Sequence, residues 1–428
     1  MNSSISPRPW IMVAWLMLAY ACSFMDRYLI NLLVIPIQSD FELTDTQVSL
    51  LLGPSFGLFY AFMGIPMGVW ADRMSRTKLI AWGIGLWSLM TAMSGLAQRY
   101  AHLFLARMGV GVGEAALSPA AYSWIASHFP ESRRSSAISV YSLGIYLGAG
   151  LAYVLGGSLI AKLSEVPLVE MAGLQIRGWQ WVFVCLGAPG LLLAMVFSRF
   201  KDDWTSTAPP STLLSDFRSF LPQHRPFFIF TLGMSFYALA MYAGGVWIPT
   251  WISRVWDLPI EQTGLISGLG MVLLPAIGVI AGGMWGDHIT RKYGAFGRQR
   301  LMQFMAILFA MAHLPFFWEG SSPWFLLWLI PYGLTLSMVV GMGAAHIQSL
   351  VPSTQRGMAS SLYVFGQNVV GLTLGPFLVG LLSDRWFGAD QLGSAIGSVG
   401  MVAAILAAGI WYWGNPAKIS SKSIPVLP

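Results

Sequence analysis

The chain has 428 residues, of which 56% are hydrophobic and only 10% are charged, and its formal net charge is +6. Soluble domains carry about 25% charged residues, so this composition excludes a water-facing fold and predicts an all-α membrane protein whose solvent is lipid. The 2 cysteines, Cys22 and Cys185, both lie in apolar runs. This excludes a disulfide framework and a thiolate metal site, and we expect neither a metal nor a cofactor.

Twelve apolar windows follow one another along the chain, and each approaches the roughly 20 residues of a transmembrane helix. The first six predicted spans are 10–36, 46–71, 78–97, 102–126, 136–162 and 179–199. The second six are 226–252, 261–286, 300–318, 323–350, 357–383 and 391–414. We expect the first span to be retained, because no small-residue cleavage site accompanies it.

The longest polar stretch, residues 200–225, separates the two sets of spans and is the expected linker. Its sequence L-L-S-D-F-R-S-F-L, residues 213–221, has apolar residues at helical spacing. This pattern fits a helix along the membrane surface, and a disordered linker is the alternative. The sequence thus predicts an N-terminal half at 1–199 and a C-terminal half with a short tail at 226–428.

Most of the 24 lysines and arginines fall in the segments that share a side with the N-terminus. The positive-inside rule therefore places both termini in the cytoplasm. The net charge is a topology signal, and a nucleic-acid partner is excluded. Short loops lead us to expect a bacterial inner membrane.

The polar segments after spans 2 and 8 repeat one another. G-V-W-A-D-R-M-S-R begins at Gly68, and G-M-W-G-D-H-I-T-R begins at Gly283. The segments after spans 4 and 10 also match, with Arg134 in one and Arg356 in the other. Two six-helix halves related by a parallel repeat are typical of transporters that work by alternating access.

These loops resemble the signature G-x-x-x-D-R-x-x-R of the major facilitator superfamily, and the resemblance covers nearly the whole chain. It implies the twelve-helix major facilitator fold and a cytoplasmic gate in which acidic and basic residues hold helix ends together. The implied gate residues are Gly68, Asp72, Arg73, Arg76, Asp287 and Arg291. The second copy has His288 where the first has Arg73, so we expect its contacts to be weaker.

A narrower resemblance rests on three stretches: S-F-M-D-R-Y at 23–28, the acidic loop I-Q-S-D-F-E-L-T-D at 37–45, and R-M-G-V-G-V-G-E-A at 107–115. They are similar to the Spinster branch, which includes exporters of lysophospholipids and sphingosine phosphate. The organic anion:cation symporters of the same superfamily carry similar charges, and they are the second choice.

Charged residues inside spans are costly and usually functional, and this chain has two such sets. Arg107 and Glu114 are two turns apart on one face of span 4, with three glycines between them that permit close helix packing. Asp26 and Arg27 lie in span 1 and point about 100° apart, so we expect them to serve different partners.

The resemblance implies that spans 1 and 4 line one cavity, which places Asp26 near Arg107. Burial disfavours a charged carboxylate and a nearby arginine favours it, so a carboxylate between these effects can exchange protons. We predict that Asp26 and Glu114 carry protons, with Glu114 more exposed to the substrate. Arg107 and Arg27 are predicted to bind the substrate, and a static ion pair is the alternative.

The second half has no Asp, Glu, Lys or Arg in the interiors of its predicted spans, since Glu261 and Arg300 stand only at the first positions of theirs. Its polar and aromatic side chains fit a substrate's body, although most aromatic residues in spans only pack or anchor. The predicted substrate contacts are Tyr237, Tyr242, His346, Gln367 and Asn368.

Together these patterns predict a secondary active transporter, not an enzyme, that moves a small organic or amphipathic anion with protons. Its other partner is the lipid bilayer, and we expect a monomer. The first alternative is a proton-driven organic-acid importer of the symporter type. An alternative of another class is a non-transporting receptor or channel on the same fold.

Overall fold

A computed structural model of the chain describes residues 9–171, 173–202, 224–318, 324–352 and 355–414. Most of the predicted linker at 200–225, including the proposed surface helix at 213–221, lies outside these residues.

The first part of the chain is nine helices and one small hairpin. The helices are α1 (Pro9–Leu29), α2 (Val34–Phe41), α3 (Asp45–Leu52), α4 (Pro54–Arg73), α5 (Arg76–Ser94), α6 (Tyr100–Glu114), α7 (Leu117–His128), α8 (Glu131–Ser164) and α9 (Gly178–Ser198). Between α8 and α9, the strands β1 (Val169–Met171) and β2 (Leu174–Ile176) pair antiparallel.

The second part is helical throughout the residues described. Its helices are α10 (Arg225–Trp256), α11 (Ile260–Met311), α12 (Trp324–Ser349), α13 (Arg356–Gly366), α14 (Gly375–Leu382) and α15 (Leu392–Trp413). Helix α11 is interrupted at Gly294, whose φ of 67° suits a residue without a Cβ. A π-helical segment, Gln367–Leu374, joins α13 to α14, and π segments are frequent at functional sites.

The all-α membrane fold is confirmed. Within the part of the chain that the structure describes, ten helical segments are long and apolar enough to cross a membrane. Predicted spans 3 and 4, which are not among these ten, correspond to α5 and to the pair α6 and α7.

Predicted span 4 is not one continuous helix. Helix α6 ends at Glu114, and α7 begins at Leu117. Pro119 explains the position of the break, because it has no N–H to offer the carbonyl of Ala115, four residues earlier. The break places Glu114 at the end of a helix instead of in the middle of one.

The glycines of α6 bring neighbouring helices into backbone contact. A Cβ on Gly111 would lie 2.6 Å from the carbonyl oxygen of Phe56 in α4. A Cβ on Gly113 would lie 2.7 Å from the backbone nitrogen of Trp87 in α5. Only glycine permits this approach, so α6 packs directly against both helices and holds its charged residues among them.

Contacts between Cα atoms divide the chain into two units. The first comprises Met1–Ser211 and Ile248–Val272, and the second comprises Thr212–Trp247 and Leu273–Pro428. The first unit thus includes Ile248–Val272, which the sequence analysis places in the C-terminal half. The predicted boundaries of the two halves stay a prediction.

Within the first unit, Arg254 near the end of α10 binds Asp45 at the start of α3. Its guanidinium donates to both carboxylate oxygens of Asp45, at 2.7 and 2.9 Å, and to the side-chain oxygen of Gln38 at 2.9 Å. Asp45 is only 2% exposed, so this two-pronged contact compensates a buried negative charge.

Candidate functional site

The first ion pair of the site joins α1 to α6. Nη1 of Arg107 donates to Oδ2 of Asp26 at 3.0 Å. The hydroxyl of Thr91, on α5, donates to the other carboxylate oxygen, Oδ1, at 2.9 Å. Asp26 is 3% exposed and Arg107 is 1% exposed. Each oxygen of this buried carboxylate thus has a donor, as buried charges require.

The second ion pair joins the same two helices through the neighbouring residue of α1. Nη2 of Arg27 donates to Oε2 of Glu114 at 2.5 Å, and the hydroxyl of Ser23 donates to the same oxygen at 2.7 Å. Oε1 of Glu114 has no hydrogen-bond partner among the residues described. Glu114 is therefore a buried acid with one oxygen held and one oxygen open.

The ring of Phe56, from α4, lies beside both arginines. Its centroid is 4.5 Å from Cζ of Arg27 and 5.3 Å from Cζ of Arg107. Phe24 and Tyr60 also lie 4.5 and 4.8 Å from the Arg27 guanidinium. Such aromatic faces attract a cation, so Arg27 is enclosed by three rings and one carboxylate.

Exposure differs among the four charged side chains. Arg27 is 11% exposed, whereas Glu114, Arg107 and Asp26 range from 1% to 4%. Glu114 and Asp26 are both buried here, so the expectation that Glu114 is the more exposed to the substrate stays a prediction. Arg27, not Arg107, is the cation that reaches the surface of the site.

The contacts between α1 and α6 match two expectations from the sequence and include side chains that the sequence analysis missed. Asp26 lies beside Arg107, and Asp26 and Arg27 serve different partners, as expected. The supporting side chains Ser23, Phe56 and Thr91 were missed. Ser23 stands one turn before Arg27, which is the one sequence signal that could have indicated it.

Two predicted substrate contacts on α10 differ in their surroundings. Tyr237 is fully buried, its ring packs 5.2 Å from that of Phe309, and its hydroxyl donates to the carbonyl of Thr335 at 2.5 Å. Its side chain is not accessible to a substrate in this structure, which corrects its prediction as a substrate contact. Tyr242 is half-buried beside Gly375.

The three remaining predicted contacts lie elsewhere in the second unit. His346 is 3% exposed, its ring lies 4.4 Å from that of Phe230, and both line a small pocket with Gln299. Gln367 is half-buried and Asn368 is buried, both at the start of the π segment. Among the residues described, neither of them lines the pocket of His346 and Phe230.

The predicted gate residues are only partly joined by contacts. Arg76 links three elements: its Nη1 donates to the Ser127 hydroxyl at 2.7 Å, and its backbone N–H donates to Asp202 at 2.6 Å. The side chain of Asp72 lies outside the described part of the chain. Three other charged gate residues are exposed and make no salt bridge within the described ranges: Arg73, Asp287 and Arg291. A Cβ on Gly68 would meet no atom within 4 Å.

Among the described residues, no group of three or more His, Cys, Asp or Glu side chains could hold a metal ion. The described site itself offers two acids, two arginines and the hydroxyl groups of Ser23 and Thr91.

Comparisons with known proteins agree with one another. The model of the family described as Major Facilitator Superfamily matches residues 16–376. An MFS-type efflux pump of Mycolicibacterium smegmatis is 30% identical over 418 residues, which is 96% of this chain and 93% of that protein. The sphingosine-1-phosphate transporter of Xenopus tropicalis is 26% identical, over 85% of this chain and 71% of that protein.

A solved structure shares the fold. It is a bacterial homologue of the human lysosomal transporter Spinster, in an inward-facing and occupied conformation. Its TM-score is 0.78 at 24% identity, and the match covers 98% of this chain and all of that one.

Proposed function

Since the chain belongs to the major facilitator superfamily, we propose that it couples the movement of a small organic or amphipathic anion to protons. The chain is a Spinster-like transporter and an integral membrane protein. Within that frame, we assign proton transfer to Glu114 and Asp26 and anion binding to Arg27. The observation that carries the assignment is the pair of buried acid–arginine contacts between α1 and α6.

The Arg27–Glu114 contact supports coupled binding of a proton and an anion. Arg27 pairs with the Glu114 carboxylate, and its side chain is more exposed than that of Arg107. A proton on Glu114 neutralises that partner and leaves the planar fork of Arg27 to bind a substrate oxyanion in two-pronged fashion. When the anion leaves, Glu114 can lose its proton and pair with Arg27 again.

The Asp26–Arg107 contact is suited to a second, more protected step. Both side chains are buried deeper than Arg27, and Thr91 holds the carboxylate in place. Protonation of Asp26 would leave Arg107 as an unpaired buried cation, which is strongly unfavourable. Asp26 therefore takes a proton only when α1 and α6 move relative to each other, and this links proton binding to a conformational change.

The wider setting follows from the sequence. We propose that the protein lies in a bacterial inner membrane with both termini in the cytoplasm, because most lysines and arginines fall on that side. The gate residues after spans 2 and 8 then lie at the cytoplasmic face, where the hydrogen bonds of Arg76 tie α5 to α7.

Two alternatives make different predictions. An organic-acid importer of the anion:cation symporter type would bind a small polar acid and gain nothing from an acyl chain. A non-transporting receptor or channel would bind a ligand without stoichiometric proton movement. The two ion pairs favour coupling over the receptor, since a receptor has no need of paired buried charges.

The test is proton flux in liposomes that contain the purified protein, while organic acids and lysolipids are added in turn. We expect one ligand class to drive flux that Glu114→Gln abolishes. Asp390→Asn, which changes an exposed acid, is the matched control and should behave as the wild type. Transport without proton movement would contradict coupling, and ligand binding without transport would favour the receptor.

A further inference from the structure

Beside Arg27, four tyrosines and a serine from four helices form a group that we call the hydroxyl cluster. Its members are Tyr20 (α1), Tyr60 (α4), Ser118 and Tyr122 (α7), and Tyr141 (α8). The sequence analysis singled out none of them, and the ion pairs do not use them. Hydroxyl groups are costly to bury in an apolar protein unless they find partners, so their convergence calls for a function.

Direct contacts hold the buried members of the cluster in place. The rings of Tyr20 and Tyr141 stack with centroids 4.4 Å apart and planes 7° apart. Tyr122 meets the Tyr141 ring edge-on at 5.5 Å, and the hydroxyls of Ser118 and Tyr141 are 3.0 Å apart. This packing fixes the rings, so their hydroxyl groups are positioned before any ligand arrives.

The cluster is continuous with Arg27. The Tyr60 ring lies 4.8 Å from the Arg27 guanidinium. The Tyr20 ring meets the Phe24 ring edge-on with centroids 4.9 Å apart, and the Phe24 ring lies 4.5 Å from Cζ of Arg27. Tyr60 is half-buried and Tyr122 is 42% exposed, so these two phenols and Arg27 are the parts of the assembly that a ligand can reach.

We propose that the hydroxyl cluster is a specificity subsite for hydroxylated organic anions, which bind their carboxylate to Arg27 and their hydroxyl groups to Tyr60 and Tyr122. This inference rests on the proposed function of Arg27 as the anion-binding residue. The fork of Arg27 satisfies both oxygens of a carboxylate. A phenol both donates and accepts hydrogen bonds, so its best partner is a group that does the same.

Ligand hydroxyls meet that requirement, whereas the ionised oxygens of a phosphate only accept. A plain alkyl carboxylate has no hydroxyl group to bond to the phenols and gains nothing from them. The cluster therefore discriminates by the polar groups next to the anion.

The test compares gluconate with hexanoate, two six-carbon carboxylates that differ in hydroxylation, as ligands of the purified full-length protein. Thermal stabilisation is followed as each ligand is titrated. We expect gluconate to bind the wild type more tightly. Tyr122→Phe and Tyr60→Phe should each weaken gluconate binding by roughly tenfold, as expected for a hydrogen bond to a polar ligand, and leave hexanoate unchanged.

Tyr153→Phe is the matched control. Its hydroxyl accepts from Asn31 at 3.0 Å, outside the hydroxyl cluster, so the preference for gluconate should persist. Equal affinity for the two acids, no stabilisation by either, or tighter binding of hexyl phosphate than of gluconate would each overturn the proposal. Proton flux that depends on Glu114 but ignores Tyr60 and Tyr122 would overturn this inference while leaving the proposed function intact.

Discussion

The ring of Phe56 lies 4.5 Å from Cζ of Arg27, and the same ring also lies against Arg107 at 5.3 Å. It therefore stands beside both cations while each pairs with its own acid. An apolar ring in that position disfavours exchange of partners between the two ion pairs. During such an exchange, buried charges would stand beside the ring without a counter-ion, which is unfavourable.

Phe56→Leu tests this role. A desolvated cation–π contact contributes about 2 kcal/mol, so we expect a lower melting temperature and a several-fold loss of ligand-driven proton flux. Phe59→Leu, a half-buried ring on the same helix α4, is the control and should cost less in flux. Equal losses in the two variants would show that Phe56 acts only by packing.

The Asp26–Arg107 pair gives a stability prediction. Arg107→Met leaves the Asp26 carboxylate buried without its cation, which costs about 3–5 kcal/mol. The double variant with Asp26→Asn removes both charges and should regain much of that loss. Thermal unfolding of the purified proteins measures both effects. A double variant no more stable than Arg107→Met would contradict the pairing.

The glycines of α6 offer a matched pair of substitutions. Gly113→Ala pushes a methyl group to 2.7 Å from the Trp87 backbone nitrogen, and such overpacking costs about 1–3 kcal/mol. Gly109→Ala meets only the flexible side chain of Met90, so its gain in helix propensity, about 1 kcal/mol, offsets the contact. We expect a lower melting temperature for Gly113→Ala alone, and similar values for the two variants would contradict backbone contact between α5 and α6.

The contact between Asp45 and Arg254 is open to a double-mutant cycle. Asp45→Asn, Arg254→Gln and the double variant should give a coupling energy of about 1–3 kcal/mol in thermal unfolding. Arg254→Lys keeps the charge and loses the two-pronged geometry, so it should retain only part of the coupling. Additive losses from the two single variants would contradict a direct interaction.

Tyr237→Phe tests whether the Tyr237 hydroxyl stabilises the fold or contacts the substrate. The substitution removes one hydrogen bond to the Thr335 carbonyl and should cost about 1 kcal/mol of stability. Transport affinity should stay unchanged, because the hydroxyl has no exposed surface. A large rise in KM without a loss of stability would restore Tyr237 as a substrate contact.

The sequence predicted those features that depend on one helix at a time. Charges within apolar spans identified Asp26, Arg27, Arg107 and Glu114, whereas the break of span 4 before Pro119 was not predicted. The twelve-span helical architecture followed from hydropathy, and the family resemblance brought spans 1 and 4 together.

The sequence failed where several helices must meet. A phenylalanine such as Phe56 looks like any apolar residue of a span until the packing of α4 against α1 and α6 is known. Tyr20 and Tyr141 are more than one hundred residues apart in the sequence, so no helical or strand periodicity could indicate that their rings stack. Aromatic rings of the first unit surround Arg27, a grouping that the sequence does not indicate, and the contacts predicted in the second half stay a prediction.

The two ion pairs also bear on how transport responds to voltage. Their four charges cancel, so the empty site is electroneutral, and one proton together with one monovalent anion leaves it electroneutral again. Either ion alone would place a net charge in an apolar interior, where it costs at least about 2.5 kcal/mol, and would hinder reorientation. If the cycle is the proposed one, with one proton and one monovalent anion, the site should resist leakage of protons that move without substrate, and transport should be insensitive to membrane potential.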